Sequence, residues 1–334
     1  DFYNVNDIYP YYQSALSYGL MNKTDKKISL LSNVMGASPT SEFYPEAMFE
    51  LGRSYAVKED TYNAYKCFNT LAETVKDSTY VAKAYIEMGS LARNESMYNE
   101  ALAYYKIVVE KMPMSEYADD ALAAIESIYQ SKNDPEEYIA YIESIGKGSM
   151  KTADEKENMI FNSAEQIFLS ENYQKALVSL QSYKDRYPTG SNVYKADFYM
   201  AESYKALGKY EHACDCYEKV VKFGEGSFVE LSMLNYANLS YRLERWEDAY
   251  GSYSSLYTSA KLENNTYTAA VGMMRSAFKA HMWPKAIADA DRVGADQRAD
   301  EDMKLEARYV KAKSYLASSM RDEAFAILEE LAKD

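Results

Sequence analysis

Small residues recur along the chain at a nearly constant spacing, and a second series of small residues follows the first. The distance between successive members of the first series stays between 36 and 38 residues. Its nine positions are Ala15, Gly52, Gly89, Glu126, Ala164, Ala201, Ala237, Met274 and Ala312. The second series lies 12 residues later in each case, at Lys27, Ala64, Ala101, Tyr138, Ala176, Ala213, Ala249, Ala286 and Ala324. Bulky residues four and seven positions beyond the second series lie on one face of a helix.

Each period of this pattern predicts two antiparallel helices joined by a short turn. Such helices cross closely only where small side chains meet, and the bulky residues then fill the space between neighbouring units. Aromatic residues three positions before the second series are predicted to pack just past the turn, at Tyr98, Tyr173, Tyr210, Trp246 and Trp283. Prolines that stop the second helix follow at Pro39, Pro113 and Pro188.

We therefore predict an all-α chain of about nine helix-turn-helix repeats in one solenoid. The repeat limits are roughly 8–44, 45–81, 82–118, 119–156, 157–193, 194–229, 230–266, 267–304 and 305–334. In the fourth repeat, whose consensus is weak, Asp134 and Pro135 predict an N-cap and the first turn of a helix. A polar stretch with two glycines predicts a local bend at 144–157 within a continuous array.

The segment Met200 to Val220, MAESYKALGKYEHACDCYEKV, resembles the tetratricopeptide repeat family. The resemblance implies a right-handed superhelix of stacked hairpins that cradles a protein or peptide in its groove. It extends over nearly the whole chain, with departures at Lys27, Glu126, Tyr138 and Ala290. The family's carboxylate-clamp residues are not found in register.

The repeats are longer than the family's usual period of about 34 residues. Segments such as 113–118 and 188–196 resemble the long-period bacterial subtype, which includes outer-membrane assembly lipoproteins and the periplasmic partner of the Tol-Pal system. This similarity implies a periplasmic or outer-membrane-associated location, with the cytoplasm as the alternative.

Composition and charge narrow the function classes. Tyrosine supplies 34 residues against 11 Phe and 2 Trp, and this enrichment suits a thin, highly solvated fold. A net charge of −14 repels phosphates, so nucleic-acid binding is not expected. Neither His212 nor His281 has a partner at the spacing of a metal site or catalytic triad. We expect no enzyme activity, no metal and no cofactor.

The candidate binding residues lie on the inner face of the first helices, at fixed offsets from each small residue. They are Phe198, Lys205, Asn238, Tyr241, Arg242, Arg275, Phe278, Lys279, Tyr309 and Lys313. Arginine and tyrosine are common binding anchors, so this basic and aromatic strip predicts an acidic, aromatic-containing peptide as partner. The alternative is structural, because long cations also cover apolar neighbours and Phe198 also suits the core between units.

Three functions fit these features. The chain is predicted to be a protein-protein or protein-peptide scaffold or adaptor of the bacterial cell envelope. The alternatives are a ligand- or peptide-sensing module, and the recruiting arm of a larger protein whose active domain lies elsewhere. The chain starts at Asp1 and has no apolar run long enough to span a membrane. We expect it to be part of a longer product, with any signal peptide or lipid anchor outside it.

Overall fold

The computed structural model describes residues 9–36 and 39–332, and the secondary structure of these residues is entirely helical. The all-α prediction is thus confirmed for the described part of the chain. The chain divides into two compact units, Asp1–Lys151 and Thr152–Asp334. The predicted bend and the repeat limits stay predictions, and the outer limits at residues 8 and 334 lie outside the described residues.

The described residues of the first unit form eight α-helices and two short 3-10 turns, at Ser32–Gly36 and Gly148–Met150. Its helices are α1 (Tyr9–Leu20), α2 (Thr24–Leu31), α3 (Tyr44–Val57), α4 (Thr61–Thr74), α5 (Ser78–Asn94), α6 (Tyr98–Lys111), α7 (Ala118–Ser131) and α8 (Pro135–Ser144). The second unit continues with α9 (Ala153–Leu169), α10 (Tyr173–Arg186), α11 (Val193–Ala206), α12 (Tyr210–Phe223), α13 (Val229–Arg242), α14 (Trp246–Ser259), α15 (Glu263–Lys279), α16 (Trp283–Gly294), α17 (Glu301–Ala317) and α18 (Arg321–Leu331). Within each unit, every helix packs against its neighbours in sequence.

The turns between paired helices repeat one backbone geometry. In each described hairpin, the residue seven positions after the first-series residue has a positive φ. In the third hairpin this residue is Ser96, whose N–H donates to the Arg93 carbonyl, while the Met97 N–H donates to the Ala92 carbonyl. These two bonds form a Schellman motif, which ends the first helix and satisfies its last carbonyls. Only Gly208 is a glycine; the other turn residues are Asn22, Glu59, Ser96, Asn133, Glu171, Glu244, His281 and Ser319.

The first-series glycines allow a ring from the second helix to approach the backbone of the first. A Cβ added to Gly52 would lie 2.6 Å from the ring of Phe68, and one added to Gly89 would lie 2.6 Å from the ring of Tyr105. Phe68 and Tyr105 are themselves buried. The interpretation of the series as points of close helix approach is therefore confirmed at these two positions.

The fourth hairpin accommodates its departures from the pattern by pairing them. Tyr138 is 2% exposed, and its hydroxyl donates a hydrogen bond of 2.9 Å to Glu126 Oε2. Lys151 Nζ donates to the other oxygen of Glu126 at 2.8 Å. Each carboxylate oxygen of Glu126 thus has a hydrogen-bond partner although the side chain lies at a small-residue position, as is usual for part-buried polar groups.

Helix capping differs from the sequence prediction in two ways. Helix α8 begins at Pro135 as predicted, but the Asp134 side chain accepts no capping hydrogen bond. Helices α5, α9, α15 and α17 begin one turn before their predicted repeat limits, and the side chains of Asp77, Thr152 and Asp300 cap the added turn in α5, α9 and α17. Thr152 also forms a reciprocal capping box with Glu155.

Candidate partner-binding surface

The candidate binding residues lie on α11, α13, α15 and α17, the first helices of successive hairpins in the second unit. We call the solvent-facing surface of these helices the first-helix face. Helix α15 packs against both α13 and α17, so neighbouring members of the series present their side chains side by side. The face therefore combines residues that are more than 30 positions apart in sequence.

A cavity of about 320 Å³ opens on this face between α13 and α15, and we call it the Arg275 pocket. Its lining contains three of the predicted residues, Asn238, Tyr241 and Arg275. The other lining residues are Tyr253, Tyr267, Thr268, Val271 and Gly272. Phenol rings form much of its wall, and amide, hydroxyl and guanidinium groups are placed among them. Pockets of this kind, apolar with a few placed polar groups, are typical ligand-binding sites.

The floor of the Arg275 pocket depends on the contact between Tyr253 and Gly272. A Cβ added to Gly272 would lie 2.5 Å from Cζ of the Tyr253 ring. The Tyr253 hydroxyl donates a 2.6 Å hydrogen bond to Oδ1 of Asn238, and burial raises the pKa of Tyr253 to about 12. Tyr253 therefore acts as a hydrogen-bond donor at neutral pH and fixes the orientation of the Asn238 amide.

Arg275 is held at the pocket by a carboxylate from the next first helix. Its Nε donates to Glu306 Oε1 at 2.7 Å, and its Nη2 donates to Glu306 Oε2 at 2.6 Å. These hydrogen bonds raise the pKa of Arg275 and lower the pKa of Glu306. A guanidinium has five N–H donors, so the bidentate pair leaves the Nη1 donors available to a ligand.

Three of the other predicted cations, Lys205, Arg242 and Lys279, have partners within the chain. Lys205 Nζ pairs with Glu202 at 2.7 Å. The Arg242 guanidinium lies 4.1 Å from the ring centroid of Tyr210, and Lys279 Nζ lies 5.9 Å from that of Trp246. The face is consequently less basic than the sequence pattern indicates, since glutamates neutralise two of its cations.

The remaining predicted residues lie away from the Arg275 pocket. Phe198 is 5% exposed and stacks on Phe228 with ring centroids 4.1 Å apart, so it belongs to the packing between hairpins and departs from the predicted exposed strip. Phe278 is half-buried and meets Trp283 edge-on at 5.9 Å. Tyr309 and Lys313 are exposed on α17.

Sequence reasoning did not identify Glu306 or Gly272 as part of this surface. Glu306 lies six residues before its first-series residue, outside the offsets that the pattern singles out. Gly272 lies two residues before Met274, which occupies the first-series position. A glycine inside a helix is itself a signal of close approach, and this signal was available in the sequence.

Other kinds of site have little support in the described residues. Among residues 9–36 and 39–332, no three His, Cys, Asp or Glu side chains are grouped closely enough to hold a metal ion. Within the same ranges, none of the helices has the length and apolar character needed to cross a bilayer. Cys67, Cys214 and Cys216 are buried thiols whose pKa values are raised by burial.

One helix pair matches a known family model. Residues 195–222 match the model described as Tetratricopeptide repeat, and this segment covers most of α11 and α12. It contains the stretch from Met200 to Val220 that carries the sequence resemblance. A comparison with curated protein sequences finds no significant match. The match supports the resemblance to the tetratricopeptide repeat family at this hairpin.

Solved structures of repeat proteins resemble the chain at low identity. The TPR-like repeats of a putative kinesin light chain from Podosopora anserina are 15% identical with a TM-score of 0.36, over 55% of this chain and 96% of that chain. The P58(IPK) TPR domain is 15% identical with a TM-score of 0.32, over 98% and 93% of the two chains. A tetratricopeptide repeat protein from Parabacteroides merdae is 16% identical with a TM-score of 0.29, over 75% and 92%. At these scores the binding surface has to be inferred from this chain's own side chains.

Proposed function

We propose that the protein is a protein- or peptide-binding scaffold that anchors its partner in the Arg275 pocket. The observation that carries this proposal is the convergence of Asn238, Tyr241 and Arg275 on one pocket between two rigid helices. Tetratricopeptide repeat proteins generally mediate protein-protein interaction, and one hairpin of this chain matches that family.

The chemistry of the pocket favours a ligand that accepts hydrogen bonds. Because Asn238 Oδ1 already accepts from Tyr253, the amide nitrogen is the group of Asn238 that can donate to a ligand in the pocket. Arg275 adds its Nη1 donors, and the rings of Tyr241 and Tyr267 supply flat apolar surface. Backbone carbonyls and side-chain carboxylates of a bound peptide satisfy these donors, while its aromatic side chains pack on the tyrosines.

The experiment is selection of peptides from a random display library on the purified protein, followed by calorimetry with a blocked variant. Thr268 lines the pocket and is exposed, so Thr268→Trp fills the pocket without removing core contacts. Thr258 on α14 is its matched control, because both hydroxyls bond to carbonyls of their own helices at 2.9 Å. We expect Thr268→Trp to abolish binding and Thr258→Trp to retain it.

Equal peptide binding by the two tryptophan variants would place the binding surface elsewhere. Charge reversal provides a second test, because the strip is proposed to attract an acidic partner. We expect Arg275→Glu combined with Lys279→Glu to weaken capture of an acidic peptide and to reduce the loss of affinity that added salt causes. Unchanged capture by this double variant would exclude the strip as the binding surface.

The cellular role that we propose is that of an adaptor in the bacterial cell envelope. The support is the long repeat period and the resemblance of segments 113–118 and 188–196 to the envelope subtype. Crosslinking in cells of the source organism, with mass-spectrometric identification of partners, tests this location. Periplasmic or outer-membrane partners are expected, and exclusively cytoplasmic partners would contradict the proposal.

A further inference from the structure

A second cavity, of about 400 Å³, lies in the first unit between α4 and α6, each of which is the second helix of its hairpin. We call it the Tyr104 pocket. Its lining residues are Tyr62, Tyr65, Lys66, Asn69, Met88, Met97, Glu100 and Tyr104. The ring centroids of Tyr65 and Tyr104 are 6.3 Å apart, and the centroid of Tyr85 also lies 6.3 Å from that of Tyr104. Aromatic rings and thioethers thus dominate its wall.

The repeat register shows what distinguishes this pocket from the equivalent place in the second unit. Tyr250 directly follows the second-series residue of α14, and Lys285 directly precedes that of α16. Lys285 Nζ lies 4.5 Å from the Tyr250 ring centroid, so the chain covers this tyrosine with its own cation. In α4 and α6 the same two positions are occupied by Tyr65 and Glu100. Glu100 of α6 therefore places a carboxylate where α16 places the ammonium group of Lys285.

The field at the Tyr104 pocket is negative on the side of α6. Burial raises the pKa of Tyr65 to about 12, and the carboxylates of Glu95 and Glu100 raise it further in the same direction. Within the described ranges neither glutamate forms an ion pair. Among the cation-ring contacts of the described residues, none involves the rings of Tyr62, Tyr65 or Tyr104. The rings and the carboxylate are therefore not occupied by a cation of this chain.

We propose that the Tyr104 pocket binds a quaternary ammonium group. Such a group carries its charge on an apolar surface, so it packs against tyrosine faces and methionine sulfur without needing hydrogen-bond acceptors. Glu100 supplies the opposing charge at the margin. Lys66 is exposed at the same pocket, so it disfavours a ligand with a second positive charge. It suits a ligand in which the quaternary ammonium group is followed by a neutral or anionic part.

Titration of the protein with choline, and with its uncharged isostere in which a tert-butyl group replaces trimethylammonium, tests the proposal. Calorimetry gives the affinity, and the methyl resonances of Met88 and Met97 report locally by NMR. Choline is expected to bind saturably and to shift both resonances, and the isostere to bind about tenfold more weakly. Equal binding of the two compounds would overturn the assignment, since the pocket would then be selecting shape and apolarity alone.

Variants on exposed positions separate recognition from folding. Glu100→Gln removes the opposing charge and Tyr62→Leu removes one ring, and each is expected to weaken choline binding about tenfold. Tyr62 is 77% exposed, so its replacement leaves the core intact. Glu225→Gln, an equal charge change at an exposed site of the second unit, is the control and is expected to bind as the unaltered protein does. Choline binding unaffected by Glu100→Gln would overturn the proposal.

A peptide with trimethyllysine distinguishes the two sources of the head group. Tighter binding of the peptide than of choline assigns the group to a protein side chain, and tighter binding of choline assigns it to a small molecule. Absence of saturable binding by both overturns the proposal. The Thr268→Trp variant is expected to bind choline normally, so the outcome is independent of the Arg275 pocket.

Discussion

The same substitution, glycine to alanine, is expected to have opposite effects in two adjacent helices of the second unit. Gly251 lies in α14, is exposed, and an added Cβ would meet nothing within 4 Å. Gly272 lies in α15, is buried, and an added Cβ would lie between 2.5 and 2.6 Å from three atoms of the Tyr253 ring. The pair isolates the effect of close packing from the effect of the residue type.

The expected magnitudes follow from three contributions. Alanine is favoured over glycine in a helix interior by about 1 kcal/mol, which is the whole effect expected for Gly251→Ala. At Gly272 the same gain is opposed by overpacking of about 1 to 3 kcal/mol. Displacement of the Tyr253 ring also weakens its hydrogen bond to Asn238, which contributes roughly 1 kcal/mol. Gly272→Ala is therefore expected to destabilise by about 1 to 3 kcal/mol.

Urea denaturation monitored by far-UV circular dichroism measures both variants against the unaltered protein. The midpoint is expected to rise for Gly251→Ala and to fall for Gly272→Ala. Peptide binding at the Arg275 pocket is expected to weaken only in Gly272→Ala, because Asn238 loses its fixed orientation. If Gly272→Ala stabilised the protein as much as Gly251→Ala, the contact between Tyr253 and Gly272 would not limit the packing, and the account of the pocket floor would fail.

Three further predictions concern the turns and the polar contacts. Gly208→Ala places a Cβ at a φ of 72° and is expected to destabilise by about 1 kcal/mol, measured as a lower denaturation midpoint. Tyr138→Phe removes a donor to Glu126 and is expected to cost about 1 kcal/mol, whereas an unchanged midpoint would show that this bond is not stabilising. The lowered pKa of Glu306 means that its pairing with Arg275 stabilises above the ordinary value of 4.5 and is lost as the pH falls through the folded-state pKa. Glu306→Gln is accordingly expected to reduce the loss of thermal stability at acid pH, measured as the melting temperature against pH. An unaltered profile would contradict a stabilising role of the pair.

The sequence predicts the repeating parts of this fold well because each depends on local spacing. Helices α6, α10, α12, α14 and α16 begin at the aromatic residues that the pattern singles out. The turn between paired helices lies at a constant offset from the first-series residue, even where Glu126 or Met274 occupies that position. Helix periodicity and turn length are set within one hairpin, so they can be inferred from one segment of the sequence at a time.

The spacing of residues along the sequence does not determine the contacts between neighbouring hairpins. The strip was predicted from offsets along single helices, and that pattern cannot show that Glu306 reaches Arg275 or that Phe198 is buried against Phe228. These pairs depend on how far each helix rotates against the next, which side-chain packing decides. Asn238, Tyr241 and Arg275 do line the Arg275 pocket. They lie one or four positions after their first-series residues, which places them on equivalent faces of α13 and α15.

The uniform turn has a consequence for how such a chain changes over evolutionary time. Among the described hairpins, all except the fifth end their first helix with the same pair of backbone hydrogen bonds. A gene duplication that copies one whole hairpin therefore preserves the spacing of the turns on both sides of the copy. Gain or loss of entire hairpins keeps this spacing and leaves only the side-chain pairs at the new junctions to adapt, whereas an insertion of a few codons within a helix shifts the residues after it relative to the neighbouring helix.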